Sequence, residues 1–272
     1  MSVVTRKIAL LKTQEYFNKI SSVSSDIKDK RSVFNFVEGI HDLGLWDSMV
    51  CWPLTSSQNA GVGNTAFSLG GLGTFDGTLV NGPTWGADGI TSTGGSSTPH
   101  INTTGRNRSL YSERSILVVV KPTAYSADDS FFGTSNYGLQ YGGAGGGIHM
   151  YRIGGNNNSA TIQGGTFSSF QYTTATTTIP NGGFATFVSV ISGGLIKAKT
   201  NSDLFQTNNN VVSPIIDTNS LKLMCNGSAE TIRGLVGTMS FALDSDTGLS
   251  QSRADSIISL YKSTLGQGLG LP

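Results

Sequence analysis

Between about Leu45 and Gly237 the chain never sustains a helical period, and this restricts its fold more than any other feature. Short runs of β-branched and aromatic residues alternate there with clusters of Gly, Asn and Ser. The cleanest run is SILVVVKP, residues 115–122, apolar at consecutive positions and stopped by Pro122. Others are SFFG, GIHMYRIG, ATIQGG, FQYTTATTT, FATFVSVISGG, LIKAKT, SLKLMCNG and GTMSFAL. Many short strands with turn signals at 8–12-residue spacing predict an antiparallel β-sandwich or jelly roll. No helical stretch falls between these strands, so a parallel α/β sheet is excluded as the main plan.

Composition agrees. Charged residues make up 13% of the chain, against about 25% in an ordinary soluble domain. Surface helices carry much Lys and Glu, so so few charges point to strands and turns. Hydrophobic residues reach 37% and the net charge is only +1, which argues against disorder. A near-neutral chain offers no electrostatic funnel for phosphates, so nucleic acid is not an expected partner. No apolar run approaches the ~20 residues that span a bilayer, and no membrane partner is expected. The start, MSVVTRKIALLKTQEYF, lacks the long apolar region of a signal peptide. Synthesis in a cytoplasm without export through the secretory route is the expectation. Cys51 and Cys225 lack CxxC spacing and read as two free buried thiols.

Helical signals sit at the two ends. Val4, Ile8 and Leu11 recur at helical spacing, with Tyr16, Phe17 and Ile20 continuing the stripe until SSVSSD breaks it. A second helix is expected from Asp29 to Ile40, with Val33, Phe36, Val37 and Ile40 on one side. Near the C-terminus, Ala254, Ile257, Ile258, Tyr261 and Leu265 mark one face of a third helix. Ser250 stands there as N-cap and Gly266 as the stop. The division expected is therefore a helical segment at 1–44, which either anchors or oligomerises the protein or simply packs on its own sandwich, and a sandwich with its C-terminal helix at 45–272.

Catalytic and cofactor motifs fail one after another. There is no G-x-x-x-x-G-K-S/T and no complete G-x-G-x-x-G, and GGAGGGI opens no helix. His41, His100 and His149 are dispersed, and no H-E-x-x-H occurs. DSDTG, with Asp244 and Asp246, resembles the start of a calcium loop but lacks its later ligands, and reads better as a turn into the last helix. No G-x-S-x-G marks a serine nucleophile. Glu15, Glu38, Glu113 and Glu230 are the only glutamates, and none has another acid two residues away, as a pair of hydrolytic carboxylates on one strand would require. The N-x-S/T sites at Asn102, Asn107, Asn157 and Asn226 are expected by chance in so Asn/Ser/Thr-rich a chain. No enzyme activity, metal or cofactor is therefore expected.

From Leu45 the chain reads GLWDSMVCWPLTSSQNAGVGNTAFSLGGLGTFDGTLVNGPTWGADGI. This resembles the opening of a concanavalin A-like, laminin-G-like jelly-roll domain of tailed-phage virion proteins. Gly77, Leu79, Asn81, Gly82, Pro83, Trp85 and Gly89 stand at the pattern's positions, SILVVVKP supplies its next landmark, and GLVGTMSFALDSDTGLSQSRADSIISLYKSTLG its close. The ending LYKSTLGQGLGLP is also similar to C-termini of structural proteins of marine phages, cyanophages included. The resemblance implies a non-enzymatic virion protein, a capsid decoration or knob or a tail appendage, contacting other virion proteins. A homo-oligomer, a trimer by analogy, is part of that expectation. An alternative is a lectin-like protein binding a host glycan, since this fold often binds sugars in edge loops or on the concave face. Phe131, Tyr137 and Tyr141, in SFFGTSNYGLQY, are the ligand-binding candidates. Ile8, Leu11, Tyr16 and Phe17 are the partner-binding candidates on the first helix. Trp46, Trp52 and Trp85 read as core or lid residues, with stacking on a sugar ring as the alternative.

Overall fold

The structure is a computed structural model. It describes residues 3–26, 28–94, 98–106, 112–123, 130–134, 149–152, 160–166, 171–177, 183–208, 220–225 and 234–272. Two helices come first, α1 (Val3–Ser21) and α2 (Lys30–Asp42), and α3 (Gln251–Ser263) comes last. Among the described residues, sixteen strands lie between them. In chain order they are β1 (Met49–Pro53), β2 (Thr65–Ala66), β3 (Gly77–Val80), β4 (Thr84–Gly86), β5 (Gly89–Thr93), β6 (His100–Thr103), β7 (Arg114–Pro122) and β8 (Ser130–Gly133), then β9 (His149–Arg152), β10 (Ala160–Thr166), β11 (Gln171–Thr177), β12 (Ala185–Ser192), β13 (Leu195–Thr200), β14 (Gln206–Asn208), β15 (Lys222–Leu223) and β16 (Val236–Ser245).

The strands form two antiparallel sheets. Sheet A runs β14-β13-β12-β7-β16-β5-β4, with β1 also paired to β16. Sheet B runs β11-β10-β9-β8-β15-β6-β3-β2. The two layers face each other over one apolar core, so the chain is a jelly-roll-like β-sandwich. Sheet A contributes Trp52, Ile116, Val118, Val120 and Phe187 to that core; sheet B contributes Leu79, Ile101, Phe131, Phe132 and Leu223.

The unbroken apolar run of β7 has a specific cause. Ile116, Val118 and Val120 face the other sheet, whereas Leu117 and Val119 face a second apolar cluster on the outside of sheet A. Three helices build that second cluster. Ala9, Tyr16, Phe17 and Ile20 come from α1, Val33, Phe36, Val37 and Ile40 from α2, and Ala254, Ile257, Ile258 and Tyr261 from α3. A β-strand buried on both faces loses its alternation, because neither side meets water. Leu269 and Leu271 of the C-terminal tail also pack on this cluster.

Helix ends follow the sequence signals. Asp29 accepts a hydrogen bond from the Ser32 amide at 3.0 Å, capping α2. Ser250 accepts one from the Arg253 amide at 3.3 Å, capping α3. The Asn81-Gly82 turn has φ of 62° and 82°, backbone that Asn and Gly tolerate best. It carries the chain from β3 in sheet B to β4 in sheet A. Trp85, just beyond, is half-buried against both clusters and donates from its indole N–H to the Gly63 carbonyl at 3.0 Å.

One end of the sandwich is closed by charge. Asp244 of β16 is fully buried and accepts from Arg106 Nε at 2.6 Å and from Arg114 Nη2 at 2.7 Å. Arg106 also reaches Asp246 at 2.6 Å. Burial pushes the Asp244 carboxyl upward, but the two guanidiniums outweigh it and hold its pKa below the usual value. Both aspartates of DSDTG are thus engaged by arginines, consistent with a structural turn. Cys51 and Cys225 are free and buried. No helix among the described residues is long and apolar enough to cross a membrane.

Candidate functional site

The helices cover the outer face of sheet A, so the outer face of sheet B is the broad sheet surface to consider. Alternation along β3, β6 and β15 sets its chemistry. Leu79, Ile101 and Leu223 point into the core, so their neighbours Thr78, Asn102 and Lys222 point outward. The register places these three side by side. Thr78 pairs with Asn102, and Asn102 with Lys222, in a single rung across three strands. One step along β6, His100 pairs with Val80.

Each polar group on this face has a defined state. The Oδ1 atom of Asn102 is buried and has no hydrogen-bond partner. His100 Nδ1 lies 2.9 Å from the Thr98 carbonyl. A carbonyl only accepts, so Nδ1 carries the proton and Nε2 of the neutral ring is an acceptor. Burial lowers the His100 pKa, the Thr98 hydrogen bond partly opposes this, and the Lys222 charge lowers it further. Lys222 is half-buried and Thr78 exposed. The rung combines an ammonium donor, a hydroxyl and a carboxamide with an unmet acceptor, and the next outward position on β6 adds an imidazole acceptor. Such a set matches the mixed donors and acceptors of neighbouring sugar hydroxyls. It contains no nucleophile–base pair and no carboxylate. Among the described residues, no cluster of three His, Cys, Asp or Glu side chains could hold a metal ion.

The sequence-derived candidates fall elsewhere. Phe131 is 0% exposed and stacks on Phe187, with ring centroids 4.9 Å apart, in the sandwich core. It offers no face to a ligand, because β8 turns it toward sheet A. Tyr137 and Tyr141 lie outside the described residues. Tyr16 and Phe17 are 2% and 1% exposed. They pack under α1 against their own chain, with the Tyr16 hydroxyl donating to the Gln58 carbonyl at 3.0 Å; they are core residues of the roof and not partner contacts. Ile8 and Leu11 do face outward, together with Val3, Val4 and Leu10, all between 40% and 73% exposed. Sequence reading had grouped Tyr16 and Phe17 with Ile8 and Leu11 on one stripe. The helix instead places them on different sides: Tyr16 and Phe17 lie beneath it with Ala9, Thr13 and Ile20, whereas Ile8 and Leu11 face outward. It also missed His100, Asn102 and Lys222, although the alternation H-I-N-T at 100–103 was visible.

No protein-family model matches the chain. No curated protein is significantly similar to it. Solved structures do share its architecture. A CBM40 domain of the Ruminococcus gnavus IT-sialidase, bound to α2,3 sialyllactose, is 14% identical, with a TM-score of 0.41 over 55% of this chain and 82% of its own. Domain 4 of the arabinanase AbnA from Geobacillus stearothermophilus, in complex with arabinotriose, is 14% identical, with a TM-score of 0.45 over 77% of this chain and 87% of its own. A tryptophan-to-alanine mutant of HCR/D is 9% identical, with a TM-score of 0.53 over 79% of this chain and 52% of its own. At such identities the likeness concerns the fold.

Proposed function

We propose that the protein is a non-catalytic, lectin-like β-sandwich that binds a glycan on the outer face of sheet B. The observation that carries this reading is the Asn102 rung. A buried acceptor without a partner sits between Thr78 and Lys222, with a neutral imidazole at the next outward position of β6. An unmet buried polar group costs stability, about 1–3 kcal/mol, unless something else satisfies it. A sugar hydroxyl donating to Asn102 Oδ1 would do so. Two of the structures just described hold oligosaccharides, which accords with this reading.

The test is a glycan array probed with the full chain, followed by titration of the best ligand against Asn102→Ala and Lys222→Met. Specific binding that falls at least about tenfold in both variants is expected. Absence of binding to any glycan, or variants that bind like the parent, would overturn the proposal.

A second reading places the protein on a virion, as a decoration, knob or tail appendage. The sequence resemblance supports it, as does the exposed apolar row Val3, Val4, Ile8, Leu10 and Leu11 of α1, which gives a neighbouring protein a surface to cover. Its test is incorporation of Ile8→Glu/Leu11→Glu into particles. Loss of incorporation by a folded variant supports it; normal incorporation removes α1 as the attachment.

A further inference from the structure

The polar rung depends on a very short strand. β15 offers only Lys222 and Leu223 to its neighbours β6 and β8. Strands usually run to roughly 3–10 residues, so contacts outside the ladder must help to keep Lys222 beside Asn102. The segment just past β6 supplies them. Thr103 donates from its amide and its hydroxyl to the Leu221 carbonyl, at 3.1 and 2.6 Å, and the Leu221 amide donates to the Arg106 carbonyl at 2.9 Å. The residue before Lys222 is thus held at both backbone polar atoms by residues that follow Asn102. Past Leu223 the chain turns at once. Met224 is fully buried with a φ of 69°, backbone that a non-glycine residue keeps only where its surroundings over-determine it. Its amide donates to the Phe131 carbonyl at 2.7 Å, and its carbonyl accepts from the Leu235 amide at 2.9 Å. β15 is therefore fixed from its two ends.

Arg106 ties the first of these ends to the other sheet. Its side chain is nearly fully buried and donates to Asp244 and to Asp246, each at 2.6 Å, with the Phe75 ring centroid 5.5 Å away. Asp244 belongs to β16 of sheet A, whereas Arg106 follows β6 of sheet B. Arg114, the other cation on Asp244, reaches it from β7, within sheet A.

We propose that Arg106 is a positioning residue of the sheet B face: anchored on Asp244, it holds Leu221 through its backbone carbonyl and so keeps Lys222 in register with Asn102 for the glycan. This role rests on the glycan reading of that face. Arg106 touches no ligand itself; it acts through Leu221 on the spacing of the two side chains that do.

The experiment runs the full chain and its variants over one printed glycan array and titrates the glycan that the parent binds best. Arg106→Met should bind it about tenfold more weakly, because the spacing of Asn102 and Lys222 is no longer fixed. Arg106→Lys keeps a cation on Asp244 and should recover part of that loss. Arg114→Met disturbs the same carboxylate without touching β6, and should bind like the parent at a temperature where it is folded. Thr103→Val deletes the hydroxyl bond to Leu221 and should weaken binding about threefold; it decides the matter if an arginine variant fails to fold. With no ligand present, amide hydrogen exchange at Leu221 and Lys222 should quicken in Arg106→Met and not in Arg114→Met. The role is overturned if Arg106→Met and Thr103→Val bind like the parent. It is equally overturned if Arg114→Met loses as much affinity as Arg106→Met, since the loss would then follow stability alone. Both outcomes leave the glycan reading standing, whereas a parent that binds nothing on the array removes that reading and this role together.

Discussion

The two outer faces of the sandwich are built on the same strand geometry and end in opposite states. Outside sheet A, Leu117, Val119, Val188, Val190 and Phe241 lie beneath three helices. Outside sheet B, the rung of β3, β6 and β15 presents Thr78, Asn102 and Lys222. A layer of apolar side chains must be covered, and the chain commits its helices to that face. The polar layer needs no apolar cover, and Asn102 and Lys222 on it are half-buried. Stability should therefore concentrate on the helical side and around Asp244, whereas the proposed glycan binding falls on the polar face of sheet B.

Substitutions can break this contrast, beginning where the effect is largest. Arg114→Met leaves Asp244 with one guanidinium in a fully buried site, and unfolding by denaturant should show a loss of about 3–5 kcal/mol. Phe36 of α2 meets Phe241 of β16 edge to face, with centroids 5.4 Å apart. Phe36→Ala should cost about 3–4 kcal/mol by the same measurement. If it costs nothing, the helical roof is not part of the cooperative fold.

Acid sharpens the joint. Because the Asp244 pKa is depressed in the folded chain, its contribution is fully present above the unfolded value of about 4 and is lost as pH falls through the lower folded value. Melting temperature measured from neutral pH downward should fall in that window, and by less in Asp244→Asn, whose own stability at neutral pH is already reduced. Tyr16→Phe removes the hydroxyl that donates to Gln58 and should cost about 1 kcal/mol, read from the denaturation midpoint. On the polar face of sheet B, Lys222→Met should shift stability by no more than about 0.5 kcal/mol, and Asn102→Ala should raise it by about 1 kcal/mol, since an unmet buried acceptor is removed. A large loss there would mean that the rung serves the fold and not a ligand.

Much of the architecture was legible before any coordinates. Strand runs such as SILVVVKP and GTMSFAL, the second helix beginning near Asp29 and the cap at Ser250 all depend on neighbours within a few residues, so local chemistry identifies them. The candidate sites were legible only in part. H-I-N-T at 100–103 displays the alternation that turns His100 and Asn102 outward, but nothing local reveals that Lys222, far along the chain, pairs with Asn102. Phe131 was misread for the same reason: an aromatic beside a glycine-rich loop looks available until Phe187 covers it.

By itself, the sequence determined that this chain makes short antiparallel strands, helices at its two ends and a tight turn ahead of Trp85, because propensity, periodicity and turn chemistry act over a few bonds. Only the tertiary structure decided that the helices cover the outer face of sheet A, that Tyr16 and Phe17 part company with Ile8 and Leu11, and that Arg106 and Arg114 converge on Asp244. Those outcomes follow from burying apolar area and neutralising charge between segments distant in sequence, and no local pattern records which segments will meet.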